Sequence, residues 1–283
     1  MTPILITGGL GMLGRAFARV CGERYLAFEV TTRAELDIAD AAAVSATLAR
    51  IQPWLVINAA GYVAVDAAEH DADRCHRDNA IGAQILARAC ARHGVGLVTF
   101  SSDLVFDGSK RTPYDEGDMP APLGVYGRSK HDAEARVLDA NPDALVVRTS
   151  ACFGPWDDGN FVARVLRELA AGREVRAAGD TTVSPTYVPD LVHACLDLAI
   201  DREHGLWHLA NTGATTWAGL ARNAATLAGY PGDRVVEVPA TALPWRARRP
   251  AFSALGSARG SLLPPWNHAL RRYHEARLEE VQR

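Results

Sequence analysis

The apolar run ILIT at residues 4–7 leads straight into the turn TGGLGMLG at 7–14, and a helix-forming stretch follows. Gly8, Gly11 and Gly14 repeat every third position. Glycines so placed allow a tight turn, close approach of a pyrophosphate and close packing of helix on strand. The helix start adds free N–H groups and a partial positive charge for phosphates. Gly8, Gly11, Met12, Leu13 and Gly14 are therefore expected to hold a dinucleotide. The plain alternative is a strand–turn–helix with no ligand.

The rhythm that follows extends this opening. YLAFEVTT (25–32), WLVINAA (54–60), GLVTFSS (96–102) and ALVVRTS (144–150) read as strands, with helices at 12–23, 41–51, 76–94 and 125–140 between them. Strands that are apolar throughout, rather than alternating, indicate a parallel sheet covered on both faces. The fold class is therefore α/β, a doubly wound parallel sheet of Rossmann type, with a smaller and mostly C-terminal substrate lobe. After Ser150 the rhythm changes. Helices are expected at 160–172, from Pro189-Asp190 to 200, at 217–229 and at 264–281, with a strand at 205–211 and a Pro- and Arg-rich loop at 231–265. The expected division is a nucleotide-binding domain at 1–150, completed by about 183–211, and a substrate lobe from 151–182 and 212–283. A chain of 283 residues suits one large domain with a smaller lobe.

Composition removes several other classes. A net charge of −3 gives no argument for nucleic acid or an anionic membrane as partner. The five cysteines are odd in number and lack CxxC spacing, which fits reduced thiols in a cytoplasmic protein. No metal site is expected. MTPILITGG lacks a basic leading segment and reads as a strand rather than a signal peptide. No stretch approaches a membrane span.

At the end of the second strand, where an acidic residue would hold the ribose of NAD, the chain has Thr31-Thr32-Arg33. An arginine offers a fork to a 2′-phosphate, so NADPH is expected over NADH; a solvated surface arginine is the plain alternative. Asp37 and Ile38 would line the adenine pocket. Ala59, Ala60 and Gly61, in NAAG, would cover the middle of the cofactor.

VYGRSK at 125–130 carries the chemistry. The chain has only two lysines, Lys110 and Lys130, among its 30 basic residues. Tyr126 and Lys130 stand four apart on an expected helix, so they share a face. With seven tyrosines and two lysines, chance supplies roughly 0.05 such pairs. A free phenol titrates near pH ~10 and is a poor proton shuttle. A fixed ammonium nearby is expected to lower that value and make Tyr126 a usable acid or base. Ser102, at a strand end, would bond the reacting oxygen as charge develops. Ser101, Tyr126 and Lys130 are also expected to face the cofactor.

TGGLGMLG, SSDLVFDG and YGRSK together resemble the extended short-chain dehydrogenase/reductases, and within them the dTDP-4-dehydrorhamnose reductases. The resemblance continues in order through NAAGYVAVDAAE (58–69), VRTSACFG (147–154), GNFV (159–162), SPTYVPDL (184–191), RPAFSAL (249–255) and LPPWNHALRRY (263–273). It implies a catalytic triad of Ser102, Tyr126 and Lys130, and NADPH-dependent reduction of a 4-keto group on a nucleotide-linked 6-deoxyhexose. It implies substrate contacts from Val63, Val65, Asp103, Leu104, Ala151 and Asn160, and a homodimer as the common assembly. Leu104 stands where the family usually has tyrosine, Ala151 where tryptophan is common, Val63 where threonine is frequent and Thr181 where glutamine is common. These departures imply kept redox chemistry on an altered pocket wall. Two other functions remain open at this point. One is an epimerase or dehydratase, which would need a further acid or base, with Asp103, Asp66 and Glu69 as candidates. The other is a non-catalytic NADP-binding regulatory subunit of the same fold.

Overall fold

A computed structural model describes residues 2–282, with side chains described through Glu279. In chain order the first half holds β1 (Ile4–Thr7), α1 (Met12–Glu23), β2 (Phe28–Thr31), α2 (Ala41–Ile51), β3 (Leu55–Asn58), α3 (Val65–Ala68), α4 (Ala72–His76), α5 (Gly82–His93), β4 (Gly96–Ser102), α6 (Val125–Ala140) and β5 (Leu145–Thr149). The second half holds β6 (Cys152–Phe153), α7 (Phe161–Ala170), β7 (Val175–Ala178), β8 (Thr182–Val183), β9 (Thr186–Tyr187), α8 (Val188–Ile200), β10 (Gly205–His208), β11 (Thr215–Thr216), α9 (Trp217–Leu227), β12 (Val235–Val238) and α10 (Trp266–Gln282).

The central sheet is six-stranded, in the order β10-β5-β4-β3-β1-β2, and every pairing in it is parallel. Successive side chains of a strand point to opposite faces, and here both faces are buried. Ile4, Ile6, Leu55, Ile57, Val98, Leu145 and Val147 pack with Phe17, Val20, Leu191 and Leu196 of α1 and α8. Leu5, Val56, Leu97 and Val146, the alternate positions, pack with Val44, Leu48, Leu86 and Val137 of α2, α5 and α6. That double burial is why the strands read as apolar throughout.

Chain order reverses between β1 and β3. Open α/β sheets bind ligands at such a point, outside the carboxyl ends of the strands. The ends converging there are Thr7, Asn58 and Ser102, with Thr149 beside them on β5. Thr7 Oγ1 donates to Asn58 Oδ1 at 2.9 Å, and Asn58 Nδ2 donates to Thr99 Oγ1 at 3.1 Å. These bonds tie β1, β3 and β4 just below the crevice.

Two features differ from the expected elements. The helix expected at 76–94 begins earlier, as α4, and carries a π turn at Arg77–Ile81 before α5. Gly94 ends it in a left-handed conformation (φ 64), as a C-terminal glycine does. Beyond Ser150 the described residues also build three two-stranded sheets, β6–β9, β8–β11 and β7–β12. Strands of two to four residues carry too little alternation to be read from sequence. Around them sits a separate apolar cluster in which Phe153, Tyr187, Leu220, Leu270 and Tyr273 are buried together.

Candidate active site

The crevice opens into a cavity of about 470 Å³, within the ordinary size range of small-ligand pockets. One end is the glycine turn. Gly8 has φ +70, and a Cβ there would lie 2.6 Å from the Ala59 backbone, so only glycine lets the two loops meet. The Gly11 amide donates to the Gly8 carbonyl at 2.9 Å and closes the turn. Gly8, Gly11, Met12 and Leu13 line the cavity, as do Arg33, Asp37, Ile38, Ala59, Ala60 and Gly61. Gly14 lies one turn into α1, with the position of its absent Cβ blocked by the Gly8 carbonyl.

Arg33 is not a free fork. Its two terminal nitrogens bond Asp78 at 2.5 and 2.9 Å. The Asp78 carboxylate also takes Arg77 at 2.9 Å and lies 3.7 Å from Arg74, while Arg77 reaches Asp37 at 2.6 Å. Arg74 also lies 3.8 Å from Asp71, so three guanidiniums interleave with three carboxylates at the rim. The Arg33 side chain stays 53% exposed, so its outer N–H groups remain reachable from the cavity. Asp78 belongs to the π turn. No local signal pointed to it, because it lies 45 positions from Arg33.

The other end holds Ser101, Ser102, Asp103, Tyr126 and Lys130, with Thr149, Ser150, Ala151 and Cys152 across from them. Tyr126 and Lys130 sit on the first turns of α6. That helix start is capped from a distance, since the Val125 amide donates to Glu69 Oε1 at 2.8 Å. Lys130 is buried, and its Nζ donates to the Phe100 carbonyl at 3.0 Å. The same Nζ lies 5.8 Å from the centre of the Tyr126 ring. Burial pulls the Lys130 ammonium down to about 8, against the opposing pull of Cys75 and Glu134.

The electrostatics of Tyr126 differ from expectation. Burial, and then the neighbouring Asp103 carboxyl, push the phenol above its ordinary value, while the Ser102 hydroxyl beside it lowers it in part. Desolvation is the largest influence on the phenol. A phenol held this way keeps its proton at neutral pH, which is the form a proton donor needs.

Ser102, Val63, Asp103 and Ala151 line the cavity; Val65, Leu104 and Asn160 do not. Val65 starts α3. Leu104 sits on a 3₁₀ turn, Asp103–Val105, that carries its carbonyl against Gly127 of α6. Asn160 caps α7, accepting from the Ala163 amide and donating to the Gly154 and Asp157 carbonyls, so its polar atoms are used. Ala151 has φ 43, a strained conformation for alanine at the cavity wall. Asp66 and Glu69 are also in use: Asp66 takes the Arg249 guanidinium at 2.6 and 2.9 Å, and Glu69 caps α6. Besides Asp78, sequence reasoning missed Leu10, Leu36, Phe100, Thr149, Ser150 and Cys152 in the lining. Each lies within a few residues of a residue it did name.

The chain is similar to several known proteins over most of its length. A family model described as the RmlD substrate binding domain matches residues 1–278. A dTDP-4-dehydrorhamnose reductase of Mycobacterium tuberculosis is 39% identical over 273 residues, covering 94% of this chain and 89% of that protein. A dTDP-4-keto-6-deoxy-D-glucose reductase of Streptomyces niveus is 34% identical, covering 89% and 88%. The crystal structure of dTDP-4-dehydrorhamnose reductase from Bacillus anthracis in complex with NADP superposes with a TM-score of 0.92, at 31% identity, covering 97% of this chain and 99% of that one.

Proposed function

The chain belongs to the RmlD substrate binding domain family, and from that premise we propose that it is an NADPH-dependent reductase of a 4-keto group on a dTDP-linked 6-deoxyhexose. The observation that carries this is the cavity itself, which joins the glycine turn at one end to Ser102, Tyr126 and Lys130 at the other. The two curated relatives named above share a dTDP-linked 4-keto sugar as the common denominator of their names.

The residues present fit a dinucleotide: the Gly8 turn admits no side chain, the start of α1 faces the cavity, and Arg33 stands at the rim. When bound, the nicotinamide supplies a hydride to the ketone carbon. Tyr126 gives its phenolic proton to the oxygen that becomes the alcohol, so one hydride and one proton complete the reduction. Ser102 orients the ketone by a hydrogen bond to the same oxygen. Lys130 holds the ribose and carries positive charge beside the phenolate that remains. Asp66 and Glu69 are tied to Arg249 and α6, which leaves an epimerase or dehydratase without either of those acids. In this assignment residues 1–150 with 183–211 hold the dinucleotide, while 151–182 and 212–283 cover the sugar. The five free thiols suit the reducing cytoplasm.

The deciding experiment is NADPH oxidation in the presence of dTDP-, UDP- and GDP-linked 4-keto-6-deoxyhexoses. One NADPH is expected to disappear per dTDP-keto-sugar reduced, and no consumption with any of them overturns the assignment. The rim makes a second prediction. Replacing Arg33 by alanine removes one charge-assisted partner of a 2′-phosphate, worth about 1.5–3 kcal/mol. The ratio of kcat/KM for NADPH over NADH should fall about 10- to 100-fold; an unchanged ratio would remove Arg33 from cofactor choice.

A further inference from the structure

Ser102 has one hydrogen to give, and in the structure it is in use. The hydroxyl donates to Asp103 Oδ1 at 3.0 Å and accepts from the Leu104 amide at 3.1 Å. A hydroxyl carries a single donor and two acceptor sites. Bonded this way, Ser102 has no hydrogen left for a ketone in the cavity, yet the reduction proposed above requires one.

The resolution lies in the surroundings of Asp103. Its carboxyl is buried, and Oδ2 accepts from Ser150 Oγ at 2.9 Å and from Ser253 Oγ at 2.5 Å. All three side-chain partners are neutral hydroxyls. Buried carboxylates are ordinarily paired with a cation, and no Lys, Arg or His is among the described side chains that hydrogen-bond Asp103. The titratable groups facing Asp103 are the Tyr126 phenol on α6 and the Cys152 thiol on β6, both pushed up and so neutral at pH 7. Burial pushes the Asp103 carboxyl up as well, against the combined pull of the three serines.

We propose that Asp103 is a positioning residue that works as a neutral acid: its proton sits on Oδ1 and is donated to Ser102 Oγ, which turns the Ser102 hydrogen toward the substrate oxygen. The geometry selects the oxygen. Oδ2 already accepts two hydroxyls and is the carbonyl-type oxygen of the acid, whereas Oδ1 faces Ser102. Ser102 then accepts from Asp103 and from the Leu104 amide, filling both acceptor sites, and its one hydrogen is released to the cavity.

Ser253 supports this arrangement from 150 positions away. It lies on a strap pinned at both ends by carboxylates. Asp66 takes the Arg246 and Ala247 amides together with Arg249, and Glu116 takes the Ser257 hydroxyl and the Ala258 amide. A strap so anchored fixes the Ser253 hydroxyl against Oδ2 and thereby the rotation of the Asp103 carboxyl.

This role presupposes the ketone reduction, and its test has one arm that does not. Infrared spectra of the full chain at pH 6, about two units above the ordinary aspartate range, should show the C=O stretch of a protonated carboxylic acid that Asp103→Asn lacks. Identical spectra would overturn the proposal, whether or not any keto-sugar is reduced; failure to reduce any of them would fall on the assigned activity alone. The second arm is kinetic. The side-chain amide of Asp103→Asn would keep a donor toward Ser102 at every pH, so Asp103→Asn should exceed Asp103→Ala in kcat by about tenfold, the worth of one hydrogen bond. Wild-type kcat should fall as pH rises and Asp103 loses its proton. Lys130, pulled down to about 8, titrates in the same direction, so the Asp103 limb is identified by its absence in Asp103→Asn. If Asp103→Asn is no better than Asp103→Ala, the carboxylate form is the working one and the proposal fails. Should Asp103→Asn fail to fold, Ser253→Ala decides the matter. Losing a donor that favours the anion must move the limb to higher pH, and an unmoved limb overturns the proposal.

Discussion

Replacing Tyr126 by phenylalanine should lower kcat by about 10²–10⁴ while leaving the fold and the affinity for NADPH nearly unchanged. The range is that of losing a positioned proton donor. The local chemistry argues for a donor rather than a base. Burial holds the phenol above its ordinary value, so the proton is present throughout the neutral range and is available to an alkoxide, which is far more basic. The ring itself packs at the start of α6 and stays in Tyr126→Phe, so the variant isolates the hydroxyl. The measurement is single-turnover NADPH oxidation with a saturating keto-sugar nucleotide, beside a direct titration of NADPH binding. A fall of less than tenfold would mean that another group, or water, protonates the product. A large rise in the dissociation constant for NADPH would mean that Tyr126 holds the cofactor rather than the proton.

What could be read from the chain follows from where its information lies. The apolar strands, the glycine turn and the Tyr126–Lys130 pair are local patterns, each legible within a window of about a dozen residues. Their meeting in one cavity follows from the reversal of strand order between β1 and β3, which the βαβ rhythm already implied. Contacts across long separations leave no such mark. Nothing near Arg33 announces Asp78, and nothing near Asp103 announces Ser253. The expected lowering of the Tyr126 pKa by Lys130 was a pairwise inference. Burial, which acts on both groups at once, outweighs it. Leu104 follows the same rule: its neighbour Asp103 faces the cavity, and one residue later the 3₁₀ turn has rotated the chain onto α6.

A second large effect is expected just outside the cavity lining, at Arg148. This residue of β5 is 2% exposed and forks onto Glu134 of α6, with Nε and Nη2 both 2.7 Å from its carboxylate oxygens. Glu134 also accepts from Ser101 Oγ at 2.5 Å and lies one helical turn beyond Lys130, so the pair clamps the catalytic helix to the sheet. Arg148→Met keeps much of the volume and removes the charge. The Glu134 carboxylate is then buried without its cation, which costs about 3–5 kcal/mol and should lower Tm by roughly 10 °C. Replacing Glu134 by methionine as well should recover much of that loss, because two apolar side chains carry no desolvation penalty. The dependence on pH must change sign. In the wild type, burial pushes Glu134 up, but Arg148, His131 and Ser101 bring it below its ordinary value. Its contribution to stability is therefore present above the unfolded value of about 4.3 and is lost as pH falls through the folded one. Without Arg148 the burial penalty prevails and the folded pKa rises above the unfolded one. Stability then increases as pH falls toward the unfolded value, and the variant should melt higher at pH 5 than at pH 7. A melting temperature that drops on acidification, as in the wild type, would show that His131, 3.6 Å from Glu134, suffices as its positive partner and that Arg148 is not what holds the clamp.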